Sequence, residues 1–333
     1  MRLKRTLWFI VSVVIFVLPL YGNLIVHFID VGQGDAILIQ TPQGKTILID
    51  GGPYDRVTQF MDYLKSVPVE KLDMVVVTHP HSDHLSGLVP AFQQYRVDQV
   101  YMTRATHTIS IYRELLLAVQ REGLKIQIAQ AGVTVDVEDG LSFRFLGPVR
   151  DDYDSLNDWS AVIWLTYGDI SFLLMGDAEE RAEKEIMSRT RNLQANVLKI
   201  GHHGSYRASS DTFIKTVDPD YAVIMCAKAN DYGYPHRETL VTLKKYDVTL
   251  YRTDLDGTIR FETDGKQLAV YTEKGAALAQ PVVFTGVYIG NKNSKVFHLP
   301  TCTGLPEEAN RVYFNTREEA IAAGYRPCGG CQP

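Results

Sequence analysis

The chain alternates short apolar runs with amphipathic stretches, and the period of each predicts its element. Residues 24–29, 36–40 and 46–49 are apolar or alternating runs separated by Gly-rich turns, the pattern of three strands. Residues 54–65 have helical character, and 74–77 form a continuous apolar run of the kind found in a buried strand. Ile109, Tyr112, Leu116 and Val119 recur at helical spacing, which predicts a helix over 109–121. Residues 162–165 and 172–174 read as a hairpin around Tyr167-Gly168-Asp169. An amphipathic helix over 178–189 and strands over 197–200, 221–225, 248–251, 258–262 and 268–271 follow. This order predicts an α/β fold, with mixed sheets and helices outside them. The pattern stops in a Lys-Gly-Ala-Ala-rich stretch at 273–281, and a new small unit begins near Val282. The expected units are a main domain at 23–273, a linker at 274–284 and a C-terminal module at 285–333.

The N-terminus reads as a separate element. Arg2, Lys4 and Arg5 precede an apolar run over 7–20, interrupted by Ser12 and Pro19. A basic start followed by such a run is the pattern of a signal peptide. It is short for a membrane span, which takes about 17–25 residues. Leu20-Tyr21-Gly22-Asn23 offers no clear small-x-small cleavage site. Residues 1–22 therefore stand equally as a cleaved signal peptide or an uncleaved membrane anchor. Both place the remainder outside the cytoplasm, extracellular or at the cell surface.

Composition adds limits. With 333 residues, 45% hydrophobic and 22% charged, the chain can bury a core without staples. A net charge of −5 gives no global sign of a nucleic-acid binder, although it leaves room for a local basic groove. Three of the four cysteines, Cys302, Cys328 and Cys331, lie near the C-terminus, and Cys226 stands apart.

The chemistry concentrates at the ends of strands. His79-Pro80-His81-Ser82-Asp83-His84 follows the buried run 74–77. Alternate residues of an extended segment share a face, so His79 and His81 can reach one metal. A turn then carries Asp83 and His84 to a second. Imidazole and carboxylate donors suit Zn, Mn or Fe in an open, catalytic site. Phe297-His298-Leu299-Pro300-Thr301-Cys302 and Arg326-Pro327-Cys328-Gly329-Gly330-Cys331 form two tight donor pairs, and His298, Cys302, Cys328 and Cys331 would close a tetrahedral structural zinc site. A unit this small needs such a staple. A disulfide between Cys328 and either Cys331 or Cys302 is the alternative that export allows.

The first cluster resembles the signature of the metallo-β-lactamase superfamily. Phe28-Ile29-Asp30-Val31-Gly32-Gln33-Gly34-Asp35, Ile49-Asp50-Gly51-Gly52, Asn157-Asp158-Trp159-Ser160, Met175-Gly176-Asp177 and Lys199-Ile200-Gly201-His202-His203-Gly204-Ser205 narrow the likeness. Together they resemble the extracellular hydrolase domain of ComEC competence proteins and its stand-alone relatives, over about residues 24–272. The resemblance implies a four-layer αββα metallo-β-lactamase sandwich holding two divalent ions, Zn or Mn. It makes Asp177 the carboxylate shared by both ions. His79, His81, Asp83 and His84 are the other expected ligands, together with one of His202 and His203. His202, directly after its strand, is the favoured ligand, with His203 contacting substrate or moving a proton. The His that many superfamily members place between the first cluster and the shared carboxylate has no evident counterpart, since His107 reads as a surface residue. Asn157 and Ser160 occupy the interval, with a catalytic role in orienting substrate or donating to an oxyanion. Asp35 and Asp50 are read either as supports of the metal-bound histidines or as turn caps.

The resemblance implies hydrolysis by a metal-bridging hydroxide, with Asp83 among the catalytic groups. The favoured substrate is a phosphodiester of DNA or a related nucleic acid. No nucleophile-elbow serine or phosphate-binding P-loop argues otherwise. A cell-wall phosphodiester esterase of phosphocholine type is the alternative, and a non-catalytic surface binder a further one. The stretch from Gly286 to Cys328 resembles the zinc-binding domain of Ada, with His298 where that family carries its first cysteine. An imidazole cannot repeat methyl-acceptor chemistry there, so the implied role of this α+β module is structural or DNA-contacting. Lys292, Lys295, Arg311, Arg317 and Arg326 are its available cations.

Overall fold

A computed structural model describes residues 22–275, 288–298, 302, 304–307, 310–314 and 317–328. The expected export segment, most of the linker and Cys331 lie outside the described residues.

The first half of the main domain carries β1 (Leu24–Phe28), β2 (Ile37–Gln40), β3 (Thr46–Ile49), α1 (Val57–Ser66), β4 (Met74–Val77), α2 (Ser82–Leu85), α3 (Leu88–Gln94), β5 (Val100–Met102), α4 (Ser110–Arg121) and β6 (Ile126–Ile128). The second half carries β7 (Thr134–Glu138), β8 (Leu141–Phe145), β9 (Ile163–Tyr167), β10 (Ile170–Leu174), α5 (Glu180–Arg189), β11 (Val197–Lys199), α6 (Asp211–Val217), β12 (Tyr221–Ile224), α7 (Arg237–Lys245), β13 (Thr249–Arg252) and α8 (Thr253–Asp256). Two further strands, β14 (Ile259–Thr263) and β15 (Leu268–Thr272), return to the first sheet beside β1. The two sheets run β15-β14-β1-β2-β3-β4-β5-β6 and β13-β12-β11-β10-β9-β8-β7.

Sequence pattern explains these placements. All four residues of β4 are buried. The strand lies between parallel β3 and β5 and is covered on both faces, which a continuous apolar run suits. In contrast, β8 alternates buried and exposed residues along Leu-Ser-Phe-Arg-Phe, as a strand with one covered face does.

The main core lies between the sheets. Phe28, Ile39 and Val76 face Phe143, Leu165 and Phe172 there. Phe60, Leu64, Leu88 and Leu115 seal α1, α3 and α4 onto the outer face of the first sheet. Ile186, Ile214 and Leu243 do the same for α5, α6 and α7 on the second. The result is a four-layer αββα sandwich.

The small module contains β16 (Tyr288–Asn291), β17 (Val296–His298), β18 (Arg311–Phe314), α9 (Arg317–Ala322) and β19 (Arg326–Pro327), with strand order β18-β16-β17-β19. Among its described residues the buried apolar side chains are Ile289, Phe297, Phe314, Ala320 and Tyr325, a small core for a domain. It touches the start of α7. Arg311 Nη1 meets Glu238 Oε1 at 2.8 Å, and Arg237 donates to the Phe314 carbonyl at 3.1 Å. Arg311 is therefore engaged with the main domain rather than offered to DNA.

Candidate metal centre

The parallel strands place the site. His79 follows the C-terminal end of β4, Asp177 follows β10 and His203 follows β11. Strand ends of an open α/β sheet form the natural crevice for ligands. Gly34, at φ +151, lets its loop press onto the first cluster, because a Cβ there would stand 2.2 Å from the Asp83 carbonyl oxygen.

The donors converge in two sets that share one residue. His79, His81 and Asp177 form one, and Asp83, His84, Asp177 and His203 the other, with the ligand atoms of each set within 4.8 Å of one another. In the first set His79 Nε2 lies 2.9 Å from His81 Nδ1 and 3.7 Å from Asp177 Oδ2. In the second, His84 Nε2 and His203 Nε2 lie 3.4 and 3.3 Å from Asp177 Oδ2. His203 Nε2 also lies 3.3 Å from Asp83 Oδ2.

The hydrogen bonds leave the right atoms available. His84 Nδ1–H donates to Asp50 Oδ2 at 2.8 Å, and His203 Nδ1–H donates to the Met225 carbonyl at 2.9 Å. Each bond fixes a tautomer whose Nε2 lone pair faces the cluster. His84 Nε2, His203 Nε2 and Asp177 Oδ1 are buried with no hydrogen-bond partner. Buried polar atoms are rarely left so. These orphaned atoms, all nitrogen or carboxylate oxygen, fit two divalent cations bridged by Asp177.

Electrostatics agree. Burial works to lower the pKa of His84, but Asp177, Asp83 and Asp50 outweigh it and raise the pKa well above the usual histidine value. His203 is raised in the same way, with Asp177 the main opponent of burial. Burial would raise Asp177, yet His203 and His84 hold it well below the ordinary carboxylate range. The pocket thus demands positive charge, which cations supply. The other set behaves differently: burial, then His84, push the pKa of His79 well down, and burial lowers that of His81 as well, so both offer neutral rings.

The supporting residues are bound tightly. Asp50, at φ +57, accepts from the Thr78 amide at 2.9 Å, the Thr78 hydroxyl at 2.5 Å and His84. Asp35 forms a fully buried ion pair with Lys199, and its Oδ1 lies 3.4 Å from His203 Nδ1. Lys199 also donates to the Gly176 carbonyl at 2.8 Å. Sequence reading missed Lys199. The available signal was a cation inside the otherwise apolar run Val197-Leu198-Lys199-Ile200.

Several expected residues make other contacts. Of the adjacent histidine pair, His203 rather than the favoured His202 joins a donor set. Both take left-handed backbone, at φ 52 and φ 46, and that turn aims the second ring inward. His202 instead donates through Nδ1 to Glu179 Oε1 at 3.0 Å, while its Nε2 accepts from the Tyr234 hydroxyl at 3.0 Å. The Ser160 hydroxyl is fully buried, accepts from the Asp177 amide at 3.0 Å and lies 3.5 Å from His79 Nδ1. Both contacts are to members of the donor sets. Asn157 Nδ2 donates to Glu179 Oε1 at 3.1 Å, while its Oδ1 is buried without a hydrogen-bond partner. His107 is half-buried, its ring 6.4 Å from that of His81.

In the small module, His298 Nδ1 lies 3.3 Å from Cys302 Sγ, and His298, Cys302 and Cys328 converge as a third donor set. Among the described residues no disulfide forms.

Two donor sets sharing one carboxylate, set at the strand ends of an αββα sandwich, mark a metal-dependent hydrolase. The model of the metallo-beta-lactamase superfamily matches residues 29–228, and the chain belongs to that superfamily. The model of the metal binding domain of Ada matches residues 277–333. The chain is 29% identical over 253 residues to ComE operon protein 3 of Bacillus subtilis, 28% over 238 residues to Competence protein ComA of Neisseria gonorrhoeae, and 30% over 241 residues to Recombination protein 2 of Haemophilus influenzae. These matches cover 71%, 70% and 71% of this chain but only 32%, 31% and 28% of the relatives, so the chain spans about a third of their length.

Proposed function

We propose that this metal-dependent hydrolase is an exported phosphodiesterase that cleaves nucleic acid. The observation that carries the hydrolytic part is the pair of donor sets sharing Asp177. Two divalent ions held there supply Lewis acidity and an activated water for in-line attack on phosphorus. His79, His81 and Asp177 would hold one ion, and Asp83, His84, His203 and Asp177 the other. Asp50 and the Met225 carbonyl keep His84 and His203 in the binding tautomer, and Lys199 balances Asp35. At the mouth, Glu179 orients His202, and His202 in turn holds the Tyr234 hydroxyl. Kinship with a competence protein and a recombination protein supports nucleic acid as substrate, and the basic-then-apolar start of the chain supports export.

Turnover of bis(p-nitrophenyl) phosphate with Mn or Zn tests the metal chemistry. Asp83→Ala should lower it at least about a hundredfold, and unchanged turnover would refute the assignment. Cleavage of nucleic acid should weaken steeply with salt, because binding releases counterions. A flat salt response would point to a small ester instead.

A further inference from the structure

We propose that an aromatic ladder beside the metal centre is a stacking platform for the bases of a single-stranded nucleic acid. This deepens the nuclease reading and rests on it. The ladder starts beside the donor sets. The Tyr234 ring lies 6.1 Å from His203 and 5.3 Å from His202. Tyr232 stacks on Tyr234 at 5.3 Å with only 12° between the ring planes. A second branch runs from Tyr234 to His236 at 5.1 Å, then to Tyr206 at 4.9 Å. The outer ends are open: Tyr232 is 64% exposed and Tyr206 43%.

The loop that presents these rings is pinned. Asn230 Nδ2 donates to the carbonyls of Ala227 at 2.9 Å and Tyr234 at 2.7 Å, and its Oδ1 accepts from the Tyr234 amide at 2.8 Å. Because Tyr234 covers the inner face of Tyr232 in parallel, one flat outer face is left. That shape suits a planar base. A cage for a quaternary ammonium needs rings turned toward a common point, and Tyr232 and Tyr234, with 12° between their planes, are not turned so. Charge is a minor part of the site, since exposed Arg207 and Lys228 are accompanied by Asp231. Unpaired bases can reach the platform. Bases stacked in a duplex cannot.

Stacking of one base on an aromatic side chain is worth about tenfold in affinity. The test uses the full chain loaded with Mn or Zn and two single-stranded probes, a ten-residue oligothymidylate and an abasic strand of equal length. Wild type should favour the thymidylate in kcat/KM by about tenfold or more. Tyr232→Ala should bring that ratio toward one through KM, Tyr232→Phe should retain it, and high salt should leave it in place. An unchanged ratio in Tyr232→Ala, with wild type cutting both strands, overturns the platform and leaves the nuclease reading standing. If wild type cuts neither strand yet turns over bis(p-nitrophenyl) phosphate, the nuclease reading fails and the platform with it. A preference for p-nitrophenyl phosphocholine that Tyr232→Ala abolishes would assign the rings to choline and overturn the proposal.

Discussion

Removing the buried lysine gives the sharpest test of how the site is held together. Lys199 is fully buried at the end of β11, ion-paired with Asp35 and 3.9 Å from Asp177 Oδ1. Burial alone would raise the pKa of Asp35, yet Lys199, with help from His203, lowers it, so the carboxylate stays charged in the interior. Lys199→Met leaves that charge without its lysine partner. Breaking one partner of a buried pair costs about 3–5 kcal/mol. Removing both partners is far cheaper, because no lone charge remains. Lys199→Met should therefore lose about 3–5 kcal/mol in urea denaturation followed by tryptophan fluorescence. The double variant Asp35→Asn/Lys199→Met should regain roughly 2 kcal/mol of that, a coupling within the range for contacting residues. Divalent metal should narrow the deficit of the single variant, since a cation at Asp177 replaces part of the missing charge. A single variant within about 1 kcal/mol of wild type, or a double variant that is merely additive, would refute this account.

Two other perturbations probe separate parts of the molecule. Burial pushes the His27 pKa down to about 4, and the neutral ring is already satisfied by the Tyr63 hydroxyl at 2.8 Å and Gln40 Oε1 at 3.1 Å. With the folded value below the unfolded 6.5, this contribution is complete above pH 6.5 and is lost as pH falls toward 4, a loss of roughly 3 kcal/mol. Urea midpoints measured from pH 7.5 to 4.5 should fall less in His27→Leu than in wild type, and parallel profiles would count against this. In the small module, Cys302→Ser should remove about one equivalent of tightly bound zinc by elemental analysis, and an unchanged metal content would exclude Cys302 as a ligand.

Much of the main domain was legible because its signals are local. The strands predicted at 46–49 and 74–77 coincide with β3 and β4, and the predicted helix at 109–121 differs from α4 by one residue. The hairpin of β7 and β8 also carries a readable signal, Asp139-Gly140 between alternating runs, though it is absent from the expected elements. By contrast, β5 and β6 have three residues each, too few to set a period. The site divides along the same line. His79, His81, Asp83 and His84 lie within six residues, so one turn of chain declares them. The roles of Ser160, Asn157 and Lys199 arise from packing between β9, β10 and β11, which no single segment contains.

The choice between His202 and His203 shows most clearly what a linear pattern omits. In regular extended chain, the first residue past the strand would point inward. Here both residues adopt left-handed backbone, which non-glycine residues do at a cost. The inward ring thereby moves one position along the chain, and the outward ring passes to Glu179 and Tyr234. The same few residues therefore serve both the metals and the aromatic loop. Strain at His202 and His203 coincides with the orphaned atoms of His84, His203 and Asp177. A fold that accepts both penalties at one point has given up stability for geometry, and bound cations would return part of it by favouring the folded state. The left-handed turn also explains why the platform begins where it does, since it is His202, turned away from the metals, that holds Tyr234 at their edge.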